Sequence, residues 1–218
     1  MDEQRQLLAG AETRGVALSE GQAQQLIAFL DLLEKWNRAY NLTAVRDRQG
    51  MLHRHLLDSL SLAPFVHTEH LLDVGSGGGL PGVVLALLFP HRRFTLLDGN
   101  HKKSRFLIQC RIELGLENLT AVTARAQDYR PEAPFSQISS RAFTALPNLV
   151  DWCGHLLAPD GEFLAMKGQY PHQELAELPP GWRLNDSLAL QVPGCEGDRH
   201  ILRLGPAQSE PPGRPTDQ

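Results

Sequence analysis

Apolar residues in the first third of the chain recur at helical spacing. Between Ser19 and Trp36 they fall three or four positions apart, at Leu26, Ile27, Leu30, Leu33 and Trp36. Ser19 and Gln22 have the spacing of a capping box, which predicts that this helix begins at Ser19. Shorter patterns predict helices near residues 3–13 and 51–62. Together these segments predict an N-terminal helical cap.

From Glu69 onward, short apolar runs alternate with helical patterns. The runs lie at residues 70–74, 80–89, 93–97, 102–114 and 119–123, followed by a strand at 136–140, a helix at 146–157 and a strand at 161–166. Strands that alternate with helices predict a parallel sheet with helices on both faces. Residues 182–191 and 199–204, separated by Pro193-Gly194, predict a closing antiparallel hairpin.

These patterns divide the 218 residues into a helical cap at 1–66, an α/β domain at 67–205 and a tail rich in Pro and Gly at 206–218, which we expect to be disordered. A formal net charge of −4 means that any contact with nucleic acid must come from a local basic face. The longest apolar stretch is too short to span a bilayer, and no signal peptide is apparent. We therefore expect a cytoplasmic protein without membrane contact.

A glycine-rich turn follows the first predicted strand. Gly75, Gly77 and Gly79 form a G-x-G-x-G sequence, in which the missing β-carbons let a cofactor lie against the backbone. Asp98 ends the second strand run, 19 residues after Gly79, where a carboxylate can accept both ribose hydroxyls of an adenosine. The loop and the acid together predict a cofactor that contains adenosine.

Residues 77–82 also match the dinucleotide pattern G-x-G-x-x-G, so a nicotinamide-dependent oxidoreductase is the alternative. Asp73 argues against it. This acid directly precedes the glycines and would repel a pyrophosphate, whereas it suits the ammonium group of a methionine moiety, directly or through water. The dinucleotide match also runs into Pro81, which fits the first turn of a helix. The residues therefore favour S-adenosylmethionine, with Asp73 among its contacts.

A series of motifs occurs in order along residues 18–204. They are Lys35-Trp36-Asn37, Tyr40-Asn41-Leu42-Thr43, Arg54-His55-Leu56-Leu57-Asp58-Ser59, Gly79-Leu80-Pro81-Gly82, Leu96-Leu97-Asp98, Ser140-Arg141-Ala142-Phe143, Lys167-Gly168 and Arg199-His200. In these motifs the chain resembles the RsmG or GidB family of bacterial 16S ribosomal RNA guanine-N7 methyltransferases. The resemblance implies a Rossmann-like class I S-adenosylmethionine-dependent methyltransferase with a mostly parallel seven-stranded sheet and an antiparallel last strand.

The same resemblance implies methylation of N7 of one guanine in the 530 loop of 16S rRNA, with S-adenosylhomocysteine as the other product. The substrate would be 16S rRNA or the small ribosomal subunit, and the enzyme a monomer. Donor contacts carried over by position fall on Gly75, Leu80, Ala126, Gln127 and Arg141, with Asp98 on the ribose. Family members often have glutamate where this chain has Gln127, and proline where it has Gly78.

Guanine N7 carries a lone pair and no proton, so its methylation needs no general base, and we expect neither a catalytic triad nor a metal. Arg141 and Lys167, near the mouth of the expected pocket, are the predicted catalytic residues. Arg141 can order the donor carboxylate or stack near the target base. An ion pair between Arg141 and a pocket acid is the alternative.

Basic groups must also hold the RNA. Candidates for contact with the substrate are Asn41, Arg46, Arg48, His55, Lys102, Lys103 and Arg105. Lys102 and Arg105 follow the second strand, whose carboxyl end faces the ligand crevice. For Asn41, His55 and Asp58, a hydrogen-bond network that fastens the cap to the sheet is an equal alternative. A ribosome-binding module without activity and a small-molecule methyltransferase remain rival functions.

Overall fold

The computed structural model describes residues 2–190 and 197–207. The strands of its sheet are β1 His70–Val74, β2 Arg93–Asp98, β3 Leu119–Thr123, β4 Phe135–Arg141, β5 Leu157–Lys167, β6 Trp182–Leu190 and β7 Arg199–Pro206. They are arranged in the order β3-β2-β1-β4-β5-β7-β6. The first five strands pair in parallel, and β7 runs antiparallel to both of its neighbours. The predicted fold class is confirmed.

The α-helices are α1 Glu3–Glu12, α2 Glu20–Tyr40, α3 Arg48–Met51, α4 Asp58–Leu60, α5 Gly82–Leu88, α6 His101–Glu113, α7 Leu146–Cys153 and α8 His172–Ala176. The predicted capping box is confirmed, because the Ser19 hydroxyl accepts the Gln22 N–H at 3.2 Å and the Gln22 side chain accepts the Ser19 N–H at 3.1 Å. Helix α2 extends beyond its predicted end to Tyr40, and Asn41 ends it with a φ of 50°.

The segment predicted as one helix at 51–62 has three parts. Between α3 and α4 lies a π-helical turn, Leu52–Leu57, and a short 3₁₀ helix follows at Ala63–Phe65. The periodicity of the sequence predicted a helical segment here but did not predict the π-helical turn within it. Such turns occur frequently at functional sites. Here the turn carries His55, and Asp58 follows directly after it.

Successive strand residues face opposite sides of the sheet, which gives the protein two hydrophobic cores. Leu71 and Leu96 belong to the core that also contains the buried faces of α1, α2, α5 and α6. Leu72 and Leu97, one position further along, belong to the core beneath α7. The near-continuous apolar strands are explained by this double coverage. Because the first five strands are parallel, the loops that follow them all lie at the same edge of the sheet.

The predicted Pro193-Gly194 turn lies outside the described residues, as do positions 208–218 of the expected tail. Within the described ranges, no helix has the length and hydropathy required to cross a bilayer. The same ranges contain no cluster of His, Cys, Asp or Glu that could hold a metal ion.

Candidate functional site

The glycine loop connects β1 to α5 at the carboxyl edge of the sheet. Gly75, Gly77 and Gly79 have φ values of 67°, 55° and 80°, which are strained for residues with a β-carbon. The Gly75 N–H donates to the Leu97 carbonyl at 2.8 Å, and the Gly77 N–H donates to Asp98 Oδ2 at 2.9 Å. The end of β2 thus fixes the path of the loop.

Beside this loop lies a cavity of about 350 Å³, which we call cavity 1. Its lining residues are Gly75, Leu97, Asp98, Gly99, Lys103, Ala124, Arg125, Ala126, Gln127, Ala142, Phe143 and Trp152. Four predicted donor residues, Gly75, Asp98, Ala126 and Gln127, are therefore brought together. Phe143, which is not among the predicted donor contacts, adds an apolar wall.

Asp98 provides the acidic group of cavity 1. It is 7% exposed, and its Oδ1 accepts the Asn100 N–H at 2.8 Å. The Lys103 ammonium lies 3.8 Å from Asp98 Oδ2. Lys103, a candidate for contact with RNA phosphates, lines cavity 1. The sequence could have indicated this position, since Lys103 precedes the buried Phe106 and Leu107 by three and four positions and so lies on the same face of α6.

Asp73 lies beneath the glycine loop, fully buried. Its Oδ1 accepts the Ser139 hydroxyl at 2.7 Å, and burial raises its pKa to about 6 against the opposing effect of this hydrogen bond. The side chain does not line cavity 1, so a direct contact with the donor stays a prediction. Gly77, Gly79 and Leu80 likewise shape the loop without lining the cavity.

A second cavity, cavity 2, has a volume of about 380 Å³ and shares Ala142 with cavity 1. Its other lining residues are Val45, Arg54, His55, Asp58, Arg141, Met166, Lys167, Gly168, Leu190, Arg199 and His200. These include four permanent cations and one carboxylate, in a chain whose formal net charge is −4. Ala142 has a φ of 50°, and such strained residues concentrate at functional sites.

Arg141 is the most extensively bonded cation of cavity 2. Its Nη1 donates to the Arg54 carbonyl at 2.9 Å and to Asp58 Oδ2 at 2.8 Å, and its Nη2 lies 3.3 Å from His55 Nδ1. The alternative of an ion pair with a pocket acid is confirmed, and so is the hydrogen-bond network proposed for His55 and Asp58. The Arg141 side chain lines cavity 2 and not cavity 1, so its contact with the donor stays a prediction.

This contact also determines the protonation of His55. A guanidinium only donates, so Nδ1 must accept from Arg141, and the ring proton is on Nε2, which donates to the Thr43 hydroxyl at 2.8 Å. Burial and the charge of Arg141 lower the pKa of His55 to about 4. His55 is therefore a neutral residue of the cavity wall.

Lys167, the second predicted catalytic residue, also lines cavity 2. Its ammonium donates to the Thr144 carbonyl at 3.0 Å and to Glu174 Oε2 at 2.7 Å. These bonds connect β5 to the loop after β4 and to α8. Lys167 is thus held at the cavity wall with about a fifth of its side chain exposed.

The remaining predicted substrate residues line neither cavity. Arg46 Nη2 donates to Asn41 Oδ1 at 2.8 Å, and both side chains are exposed beside the cap. Lys102 and Arg105 are exposed on the outer face of α6. Arg48 is instead engaged by Glu3, Asp31 and Glu34 of the cap. The roles of the exposed residues in RNA binding stay predictions.

Arg199 and His200 line cavity 2, although the sequence indicated them only as part of a motif. The pattern predicted a closing hairpin but not that β7 inserts between β5 and β6. That insertion pairs Lys167 with His200 and brings Arg199 to cavity 2. The missing signal was long-range, because strand order is not encoded in local periodicity.

The comparisons with known proteins agree with this architecture. The model of the GidB family, described as rRNA small subunit methyltransferase G, matches residues 22–202. A protein from Marinobacter nauticus named ribosomal RNA small subunit methyltransferase G is 61% identical over 203 residues, which cover 93% of this chain and 95% of that protein. The protein of the same name from Pseudomonas aeruginosa is 54% identical over 200 residues, covering 91% and 94%.

Solved structures share the fold at low identity. A ribosomal protein L11 methylase from Lactobacillus delbrueckii subsp. bulgaricus has a TM-score of 0.55 at 13% identity, covering 72% of this chain and 80% of that one. The O-methyltransferase TomG from Streptomyces achromogenes, solved with S-adenosylmethionine, has a TM-score of 0.53 at 16% identity, covering 83% and 90%. The chain therefore belongs to the GidB family, rRNA small subunit methyltransferase G, and has the fold of S-adenosylmethionine-dependent methyltransferases.

Proposed function

We propose that the protein transfers the methyl group of S-adenosylmethionine to N7 of a guanine in 16S rRNA, with the donor in cavity 1 and the guanine in cavity 2. The observation that carries this proposal is the shared residue Ala142, which lines both cavities. Ligands in the two cavities would lie against the same residue, which favours a short path between donor and acceptor. The names of the close relatives support small-subunit rRNA as the substrate.

The residues of cavity 1 fit an adenosyl donor. A β-carbon built at Gly75 would lie 2.2 Å from Phe143 Cδ2, so only glycine keeps both the loop and the aromatic wall in place. Asp98 keeps lone pairs for ribose hydroxyls after accepting two N–H groups. Ala126 and Gln127 border the cavity on the side of β3, where we assign the adenine. When bound, S-adenosylmethionine supplies an electrophilic methyl group on sulfur.

The charges of cavity 2 favour guanine over adenine. Guanine has the O6 acceptor next to N7, whereas adenine has an amino donor in that place. Arg141, Lys167 and Arg199 present only donors, so they can pair with O6 or with a phosphate but would repel an amino group. We therefore assign base selection to these cations. Methylation of N7 needs no general base, which agrees with the state of His55, one of two histidines that line the cavity: its Nδ1 already accepts from Arg141.

The donor assignment predicts that Asp98→Ala weakens S-adenosylmethionine binding. The substitution removes the ribose acceptor and the acceptor of the Gly77 N–H, and a loss of about tenfold or more in affinity is expected for such charged bonds. Isothermal titration measures it, with the exposed Arg111→Ala on α6 as the control. Unchanged affinity in Asp98→Ala would remove Asp98 from the donor site.

The function is tested by incubating the purified protein with labelled S-adenosylmethionine and small ribosomal subunits from cells that lack the gene. We expect label in 16S rRNA at a single 7-methylguanosine, mapped by cleavage of the chain at the modified base. Changing that guanine to adenine should abolish labelling. Label on another ring position, on a ribosomal protein or on a small molecule would contradict the proposal, and so would binding of rRNA without transfer.

A further inference from the structure

Asp58 connects two arginines from strands that are not neighbours in the sheet. Its Oδ2 accepts Arg141 Nη1 at 2.8 Å, and its Oδ1 lies 3.6 Å from Arg199 Nε. Arg141 ends β4 and Arg199 begins β7, and β5 lies between these strands in the sheet. The carboxylate of Asp58 therefore links the cationic ends of β4 and β7 across β5.

The buried environment of Asp58 requires that its negative charge be compensated. The residue is 5% exposed, and Oδ1 accepts no hydrogen bond among the described residues. A buried carboxylate requires compensating charge, which the two guanidinium groups supply. Arg141 is further restrained by the Arg54 carbonyl and by His55, whereas Arg199 Nη1 donates to the Asp198 carbonyl. Asp58 is thus the group that the two guanidinium groups share.

Stability alone does not account for the arrangement. Replacing a buried ion pair with apolar residues is often neutral or stabilising. Asp58 also offsets one of the positive charges of cavity 2. It lines that cavity together with the cations. The shared carboxylate directs Arg141 by a hydrogen bond and holds Arg199 near it by the attraction of opposite charges.

We propose that Asp58 is a positioning residue that holds Arg141 and Arg199 as a fixed pair on the wall of cavity 2 and thereby orients the nucleotide for transfer. This inference rests on the proposed function. Asp58 acts through the arginines and has no contact with cavity 1. Its loss should therefore affect the use of rRNA and leave donor binding unchanged.

The test compares Asp58→Asn with the wild type by steady-state methyl transfer to small subunits. We expect kcat/KM for the subunit to fall on the order of 100-fold. The dissociation constant of S-adenosylmethionine should stay within about twofold, because the donor cavity is a separate site. Asp58→Glu, which restores the charge, should recover part of the loss.

Glu162→Gln is the matched control. Glu162 is 7% exposed and accepts Arg203 Nε at 2.8 Å, so it forms a comparable acid–arginine pair between β5 and β7, but it lines neither cavity. We expect this variant to lose stability without losing transfer. A similar loss of transfer in both variants would overturn the positioning role, since it would indicate a general structural effect.

A double-mutant cycle tests whether the two arginines act as one unit. If Asp58 holds the arginines together, the combined loss in Arg141→Met with Arg199→Met should be smaller than the product of the single losses. This cycle does not require Asp58→Asn to fold. Multiplicative losses would overturn the proposal, as would wild-type kinetics in Asp58→Asn. If the wild type itself transfers no methyl group to 16S rRNA, the proposed function fails instead.

Discussion

Gly75 occupies a position where a single methyl group would reach a wall of the donor cavity. Gly75→Ala introduces a β-carbon 2.2 Å from Phe143 Cδ2 at a φ of 67°. The backbone strain costs about 1 kcal/mol, and the displaced ring should weaken donor binding by about tenfold or more. Gly15→Ala is the matched control, because Gly15 has the same φ and no atom near its β-carbon position. Equal donor affinity in both variants would contradict the prediction.

His55 gives the stability of the protein a specific dependence on pH. Its pKa is about 4 in the folded protein and about 6.5 in the unfolded chain, so the unfolded chain takes up a proton first as pH falls. The contribution of His55 to the free energy of unfolding is therefore at its highest above pH 6.5. It decreases by about 3 kcal/mol in total as pH falls from 6.5 to 4.

Denaturant unfolding of the wild type and His55→Gln at a series of pH values measures this contribution. The difference between the two free energies of unfolding should change across that window. Asp73 has a raised pKa and acts in the opposite direction over part of the range, but it is common to both proteins and cancels in the comparison. A constant difference from pH 4 to 7 would show that His55 takes up its proton equally in both states.

The elements of the fold were largely predictable, because burial follows local periodicity. Strand β1 was placed at its observed bounds, and the capping box at Ser19 fixed the start of α2. The π-helical turn was not predictable, since its apolar residues Leu52, Leu56 and Leu57 also suit an ordinary helix. The turn is important because its Arg54 carbonyl accepts a hydrogen bond from Arg141 of β4, which lies 87 positions further along the chain.

The short helix α5 is stabilised by a residue from outside it. Asn118 Nδ2 lies within hydrogen-bond distance of three carbonyls, those of Ala86, Phe89 and Arg92, at 3.0 to 3.2 Å. Because carbonyls at a helix end lack intrahelical partners, Asn118→Ala should lower the free energy of unfolding by roughly 1–3 kcal/mol. Chemical denaturation measures the loss, with the partly exposed Gln109→Ala as the control. Donor affinity should not change, and a weakened donor site would contradict this structural role.

At the scale of the whole molecule, an acidic protein must bind an acidic polymer. Cavity 2 concentrates cations within a chain of net charge −4, so we expect few phosphate contacts and a shallow dependence of RNA binding on salt. The slope of log affinity against log salt should be about −0.7 for each phosphate neutralised on a single strand. Arg54→Gln, which removes one lining cation, should reduce the slope by about that amount.

Binding of labelled rRNA fragments at several salt concentrations measures this slope. Lys35→Gln, a cation of α2 that lines neither cavity, is the control and should leave the slope unchanged. A steep slope that is insensitive to Arg54→Gln would mean that RNA binds a different face. In that case the exposed Lys102 and Arg105 of α6 become the stronger candidates.

The donor cavity was more predictable than the substrate cavity. Gly75 follows β1 and Asp98 ends the adjacent parallel strand β2, so a local pattern was enough to bring them together. Cavity 2 combines the turn before β1 with the ends of β4, β5 and β7, and its central contact joins Asp58 to Arg141. Only the order of strands in space creates that contact.

The position of β7 affects the order in which the protein can become functional during its own synthesis. Every residue that lines cavity 1 lies before Trp152 or at it, whereas cavity 2 needs Arg199 and His200 from β7, which is synthesised after the other described strands. In the sheet, that strand lies between β5 and β6. A nascent chain can therefore complete its donor cavity first, and it acquires the full set of cationic groups of cavity 2 only after β7 has joined the fold.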